Sequence, residues 1–250
     1  VSQDVIPKII HQTSGSKPLP PLIVDSIAAL RERNPNWEYR FYSDADIEEY
    51  IDCHFPQHSD IYRRINPRYG AARADLFRYL LLFREGGVYL DIKSTIHRAL
   101  EEVIRHDDQF LLSHWNNGPG TEHELWGTYP EIANPRGEFL QCFLVSRPGH
   151  PFLASVIEQV VANLQHYDLE RDGVGLRVRH LTGPVVFTLA ITPLLGQFPS
   201  RLVCGEQDLG FEYNLYQRAS DSKHRHLFEH HYSGLDEPIV LPPLPGPDRT

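Results

Sequence analysis

The chain has 250 residues, 41% of them hydrophobic and 23% charged, with 17 Gly and 20 Pro. That composition suits a folded domain with a substantial core and excludes collagen-like, coiled-coil and largely disordered chains. Lys plus Arg number 24 against 33 Asp plus Glu, a formal charge of −9, the wrong sign for holding nucleic acid by counterion release. A small anionic ligand stays compatible, because a metal ion or a few placed basic groups reverse the field inside one cleft.

The first third alternates between strand and helix. Pro7 to Gln12 holds a short apolar run, and Ile23 to Arg33 has helical spacing that stops at Asn34-Pro35. Trp37 to Tyr42 alternates with period two, placing Trp37, Tyr39 and Phe41 on one half-buried face, and Trp37 and Tyr39 are assigned to the core. Ser43-Asp44 then caps a helix through about Ile51. Strand, helix, strand, helix predicts an α/β fold with a mostly parallel sheet and crossover helices.

Between Tyr69 and Thr95 the pattern sharpens. Ala72, Leu76, Tyr79, Leu80 and Phe83 define one apolar helix face, and Gly86-Gly87 supplies the stop. In the strand that follows, Val88, Leu90 and Ile92 point to one side and Tyr89, Asp91 and Lys93 to the other. Open α/β sheets bind ligands beyond the carboxyl ends of their strands, which makes Asp91 and Lys93 candidates by position as well as by type.

Farther on, Phe110 to Ser113 and Phe143 to Ser146 read as short strands, and Leu153 to Leu164 as a helix opened by Pro151. Another helix follows Thr182-Gly183-Pro184. His114 to Gly127 is rich in Gly, Asn, His and Trp without periodicity, the texture of a long loop at a functional mouth. The end from Leu241 is proline-rich and reads as an extended tail over 241–250.

Cys53, Cys142 and Cys204 lack the paired spacing of a zinc or CxxC site and suggest a reduced compartment. No stretch approaches the roughly 20 apolar residues that cross a bilayer, and no signal peptide is visible. The expected location is cytoplasmic, compatible with peripheral contact at the inner face of a membrane. The phosphate loop GxxxxGK[ST], HExxH and the GxSxG elbow are all absent from the sequence.

Three stretches resemble one known family in order and spacing. They are Ile6-Pro-Lys-Ile-Ile-His-Gln-Thr13, Asn34-Pro-Asn-Trp-Glu-Tyr-Arg-Phe-Tyr-Ser-Asp44, and Ala74-Asp-Leu-Phe-Arg-Tyr79 followed by Gly86-Gly-Val-Tyr-Leu-Asp91. Together they resemble glycosyltransferase family 32, with weaker similarity in His150-Pro-Phe152, Thr182-Gly-Pro184 and His230-His-Tyr-Ser233. The resemblance implies a GT-A fold over 1–240, with a nucleotide-sugar half over about 1–100 and an acceptor half over about 101–240. It also implies a UDP- or GDP-hexose donor, Mn²⁺ or Mg²⁺, a saccharide or lipid-linked acceptor, and transfer with retention of configuration. Surface polysaccharides such as capsule or lipopolysaccharide are the expected products.

Residue by residue, the resemblance places His11, Gln12 and Thr13 beside the nucleotide, and Asp75, Arg78 and Tyr89 around the donor. Asp91 falls on the metal or the donor, and Gln141 under the donor sugar. The departure from the family pattern is Lys93, which stands where the second Asp of Asp-x-Asp is expected. A protonated amine has no lone pair for a hard cation. Either Asp91, the diphosphate, waters and His231 hold the metal, which is the preferred arrangement, or Lys93 itself neutralises the diphosphate.

Bland readings stand beside these. Asp91 would be an ordinary structural carboxylate, Asp75 and Arg78 a surface i,i+3 pair, and His231 one surface histidine among 14. Trp115 and Trp126 are as consistent with loop packing as with stacking on a sugar. Two rivals to an enzyme remain at this point: a non-catalytic nucleotide-sugar binder or regulator, and a carbohydrate-binding module built on the Trp115 loop.

Overall fold

A computed structural model describes residues 5–15, 18–216 and 232–243. Six strands form the main sheet: β1 (Ile9–Thr13), β2 (Glu38–Tyr42), β3 (Gly87–Leu90), β5 (Phe110–His114), β6 (Phe143–Ser146) and β7 (Arg201–Cys204), in the order β2-β1-β3-β6-β5-β7. β1 runs parallel to β2 and β3, and β5 parallel to β7, while β6 is antiparallel to both its neighbours. The mostly parallel α/β sheet predicted from the alternating pattern is present, with one reversed strand. The short β4 (Thr95–Ile96) pairs separately with β8 (Phe211–Glu212).

Local chemistry accounts for the helix boundaries. α1 (Pro21–Arg33) opens on a proline at its first position and carries Arg31 and Arg33 in its last turn, each favourable at that end of a helix dipole. Asn34 stops it and ties it to the next layer: its amide donates to Leu30 O at 2.8 Å, and its side-chain oxygen accepts from Leu100 N at 2.8 Å. α2 (Asp44–His54) has the expected Ser43 cap, completed by Asp46 into a reciprocal capping box. α3 (Pro56–Arg64) was not anticipated; its charged, strongly polar sequence buries only Ser59, Ile61 and Tyr62.

α4 (Gly70–Glu85) is buried over almost its whole circumference, since Asp75 through Leu82 are all inaccessible. The one-sided apolar face read from the sequence is therefore only part of its packing. The short α5 (Leu100–Val103) and α7 (Leu169–Asp172) are one-turn helices, and α4 itself lies among the sheet, α6 (Pro151–Gln165) and α8 (Val178–Leu181). Gly86 at φ 67° ends it, and Gly87 at φ 95° brings β3 so close to β1 that a Cβ there would sit 2.6 Å from Ile9 O. The glycine pair thus fixes both the turn and the strand spacing that deliver Asp91.

Alternation along the strands divides the core. Tyr89 and Leu144 face α4, α6 and α9 (Pro184–Ile191), whereas Ile10, Val88, Leu90, Phe143 and Val145 face the opposite layer. Trp37 is buried as expected, but Tyr39 is half-buried and turns its hydroxyl to Gln12 Oε1 at 2.9 Å. The start of the proline-rich end is tied down, with Leu241 N donating to Arg64 O at 2.7 Å; residues 244–250 lie outside the described residues. The three cysteines are unpaired. Among the described residues no helix is long and apolar enough to cross a membrane.

Candidate active site

β3 ends at Leu90, earlier than the alternation suggested. Asp91 N still donates to Cys142 O at 2.9 Å, and Ser94 N then closes a turn onto Asp91 O at 2.9 Å. Asp91 and Lys93 therefore sit on a turn just past the carboxyl end of a central strand. The turn brings their charged ends together, Lys93 Nζ lying 3.0 Å from Asp91 Oδ2.

α4 supplies the other half from below. Arg78 Nη2 lies 3.1 Å from Asp91 Oδ1 and 3.3 Å from Asp75 Oδ1. Its Nη1 donates to Gln141 O at 2.7 Å and Gln141 Oε1 at 2.6 Å, and its Nε to Ala74 O at 3.2 Å. The guanidinium stands over the Tyr89 ring, 4.6 Å from its centroid. Thr182 Oγ1 donates to Asp75 Oδ2 at 2.8 Å, and Tyr79 OH donates to Thr182 O at 3.0 Å.

Asp75 and Arg78 are 3% exposed, so the surface-pair reading is corrected: this is a buried network, held because each charge has partners. Every nitrogen of Arg78 is already engaged, so the geometry gives it a holding role beneath the site. Asp91 at 20% exposed, Lys93 at 10% and the half-buried Gln141 are the members open to a ligand.

The ionisation states follow from the geometry. Burial alone raises the Asp91 carboxyl, but Arg78 and Lys93 outweigh it and hold it below the usual carboxylate range. Burial raises Asp75 and prevails there despite Arg78. Burial opposes the Lys93 charge, yet the adjoining Asp91 prevails and the ammonium is raised above its ordinary value. The same ammonium rests 4.3 Å from the centroid of the Tyr213 ring. Arg78 and Lys93 are thus the two cations of the cluster, and Asp91 is its firmly ionised carboxylate.

The structure brings six of the predicted residues into this cluster: Asp75, Arg78, Tyr89, Asp91, Lys93 and Gln141. Thr13 adjoins it through Tyr89, the two hydroxyls 3.1 Å apart, and Gln12 Nε2 reaches Asp91 O at 3.4 Å. His11 is not brought to it. Fully buried, it spans Tyr42 OH at 3.1 Å and Gly86 O at 3.0 Å, which places it as a pin behind the Gly86 turn. His231 lies outside the described residues. Sequence reasoning did not find the bonds made by Tyr79 and Thr182, although Thr182-Gly-Pro184 was conspicuous, and nothing in the local pattern marked Tyr213.

Burial holds His11 and His150 neutral, with pKa values lowered to about 4, and lowers His58 and His114 as well. An unfolded histidine takes up its proton near pH ~6.5. Between that value and about 4 these histidines bind more protons in the unfolded chain than in the folded one, so their contribution to stability falls as pH falls, outweighing the opposite pull expected of the raised Asp75 and Glu138. A urea midpoint lower at pH 5 than at pH 7 is the expected result; an equal or higher midpoint at pH 5 would contradict it.

A metal held by Asp91 does not suit this donor set. One carboxylate oxygen faces Arg78 and the other Lys93, so a divalent ion would displace a cation or add charge to a site that already has two. Among the described residues no group of three or more His, Cys, Asp or Glu side chains is arranged to hold a metal.

Comparison with known proteins follows the same lines. The model of the family described as "Glycosyltransferase sugar-binding region containing DXD motif" matches residues 20–111, a stretch that includes Asp75, Arg78 and Asp91. Inositol phosphoceramide mannosyltransferase 3 of Schizosaccharomyces pombe is 27% identical over 184 residues, 74% of this chain and 44% of that protein. The initiation-specific alpha-1,6-mannosyltransferase of Candida albicans is 27% identical over 198 residues, 73% of this chain and 51% of that one. The chain spans about half the length of these relatives, or less. The UDP-bound glycosyltransferase domain from the YGT toxin superposes with a TM-score of 0.57 at 9% identity, covering 87% of this chain and 82% of that one. The fold is the GT-A glycosyltransferase type.

Proposed function

We propose that the chain is a retaining hexosyltransferase of family 32 that moves a sugar from a nucleoside diphosphate to a saccharide or lipid-linked acceptor, in the synthesis of a surface glycan. The observation that carries this reading is the Asp91–Lys93 pair, anchored by Arg78 past the end of a central strand, within the matched sugar-binding region. The mannosyltransferase relatives make GDP-mannose and the UDP-hexoses the first donors to try. Residues 1–100 form the donor half and 101–240 the acceptor half.

The chemistry asks for a cation at the departing diphosphate and an ordered sugar shielded from water. Lys93 supplies the cation: it has three N–H donors, and Asp91 accounts for one. Asp91 stays ionised and accepts from donor hydroxyls while aiming Lys93. Arg78 and Asp75 are positioning residues that fix Asp91 from beneath, and Gln141, locked by Arg78 and Tyr79, lies under the sugar. Attack from the face of the departing phosphate, with that phosphate taking the acceptor proton, gives retention without an enzymatic nucleophile.

The test is a panel of UDP- and GDP-hexoses assayed for donor hydrolysis and transfer, with chelator and with Mn²⁺. Consumption of one donor is expected. Nucleotide binding without product from any donor would favour the non-catalytic binder, which the fully paired Asp91 also fits. No binding of any nucleotide would refute both.

A further inference from the structure

A concavity opens beside the Asp91–Lys93 turn, reached through Tyr213. It has a volume of about 290 Å³, and its lining includes Glu122, His123, Glu206, Glu212, Tyr213 and Asn214. That volume sits near the lower end for ligand pockets and is ample for one sugar ring. Its wall is stitched to the reaction turn: Ser94 Oγ donates to Tyr213 O at 2.6 Å, Leu215 N donates to Lys93 O at 2.9 Å, and the Tyr213 ring carries the Lys93 ammonium. A group seated there is one aromatic ring away from Lys93.

The lining has a definite chemistry. His123, 5% exposed, sets Nδ1 2.5 Å from Glu206 Oε1 as a close ion-pair contact, yet neither ring nitrogen makes a hydrogen bond of good geometry among the described residues. A buried imidazole nitrogen left without a partner is costly unless a ligand or water completes it. The Trp126 ring lies 4.6 Å from His123 and 6.0 Å from Tyr213, yet Trp126 is 42% exposed. Trp115, in contrast, is buried and bonded to Glu138 at 2.9 Å, so its place is in the packing of the loop.

We propose that this cavity is the acceptor subsite and that it takes a neutral saccharide. The inference rests on the glycosyltransferase reading and extends it to a substrate class. Glu122, Glu206 and Glu212 carry acceptor oxygens suited to sugar hydroxyls, with Glu212 Oε2 already 2.6 Å from His97 Nε2, and Tyr213 with the neighbouring, partly exposed Trp126 ring suits the apolar face of a pyranose. The lining sets three carboxylates against two histidines, His97 and His123, and holds no Lys or Arg, a balance that disfavours a phosphorylated or carboxylated acceptor.

The experiment is saturation-transfer NMR with the methyl α-glycosides of mannose, glucose and galactose as probes and inositol 1-phosphate as the anionic comparator, alongside calorimetric titration of GDP and UDP. At least one neutral glycoside is expected to receive saturation, and the anionic probe none. Glu206→Gln, which keeps the side-chain shape, and Trp126→Ala, at an exposed ring, are each expected to weaken glycoside binding about tenfold or more with nucleotide binding unchanged. Nucleotide binding without any glycoside signal, glycoside binding untouched by either variant, or equal binding of inositol 1-phosphate would each overturn the inference and leave the transferase reading standing. Failure of every nucleotide to bind would overturn the transferase reading and this inference with it.

Discussion

Replacing Asp91 by alanine is expected to lower donor turnover about 10²- to 10³-fold, the range seen when one preorganised electrostatic group is removed from a reacting centre. The reason lies in two distances: Asp91 faces Arg78 at 3.1 Å and Lys93 at 3.0 Å, and its loss frees the Lys93 ammonium to move. It also strips the mostly buried Lys93 ammonium of its carboxylate partner and leaves Arg78 with Asp75. Breaking a buried ion pair on one side costs about 3–5 kcal/mol, so the melting temperature falls with the rate. Asp91→Asn separates the effects. An amide keeps the shape and one acceptor oxygen but not the charge, so the variant should remain folded and still lose at least about 10²-fold in kcat. Steady-state kinetics and thermal melts on both variants are the measurements. Normal kcat in a folded Asp91→Asn protein would remove the carboxylate from the chemistry and leave it a structural counter-ion.

The cluster's visible half was legible because it is local in sequence. The α4 apolar spacing, the Gly86-Gly87 stop and the alternation through Tyr89 and Asp91 lie within one unbroken stretch, where period and turn chemistry carry the information. What holds those residues was not legible. Gln141 and Thr182 reach Arg78 and Asp75 from 63 and 107 residues away, and no periodicity encodes a pairing at that distance. The same limit hid the burial of the Asp75–Arg78 pair: at i,i+3 on a helix it reads as a surface feature, and only the packing of α6 and α8 around α4 makes it interior. β6 illustrates the other gap. Phe143 to Ser146 signals a strand, but its reversed direction is set by neighbours that the segment does not contain. In the loop from His114 to Gly127, composition flagged a functional mouth, while the distinction between a packed Trp115 and an exposed Trp126 emerged from tertiary contacts alone.

Lys93 carries the sharpest mechanistic consequence. With its ammonium held charged by Asp91, the wild-type protein should bind GDP or UDP and turn over its donor in excess chelator, and Mn²⁺ should change neither by more than about twofold. Lys93→Ala removes the fixed charge facing the diphosphate. The expected cost is about 10- to 100-fold in kcat/KM, from a charge-assisted hydrogen bond worth about 1.5–3 kcal/mol. Lys93→Asp is the more telling change. It places a second carboxylate two residues after Asp91 and removes a positive charge, so the cluster shifts by two units toward negative and repels the diphosphate until a divalent cation restores the balance. That variant should be nearly inactive in chelator and regain turnover with Mn²⁺, whereas Lys93→Ala should regain little. The raised Lys93 also fixes the pH response: wild-type turnover should show no loss from deprotonation of this amine between pH 7 and 9. Chelator that abolishes wild-type turnover, or a Lys93→Asp protein as indifferent to Mn²⁺ as Lys93→Ala, would show that the ammonium does not occupy the cation's position and that the charge at the leaving group comes from elsewhere.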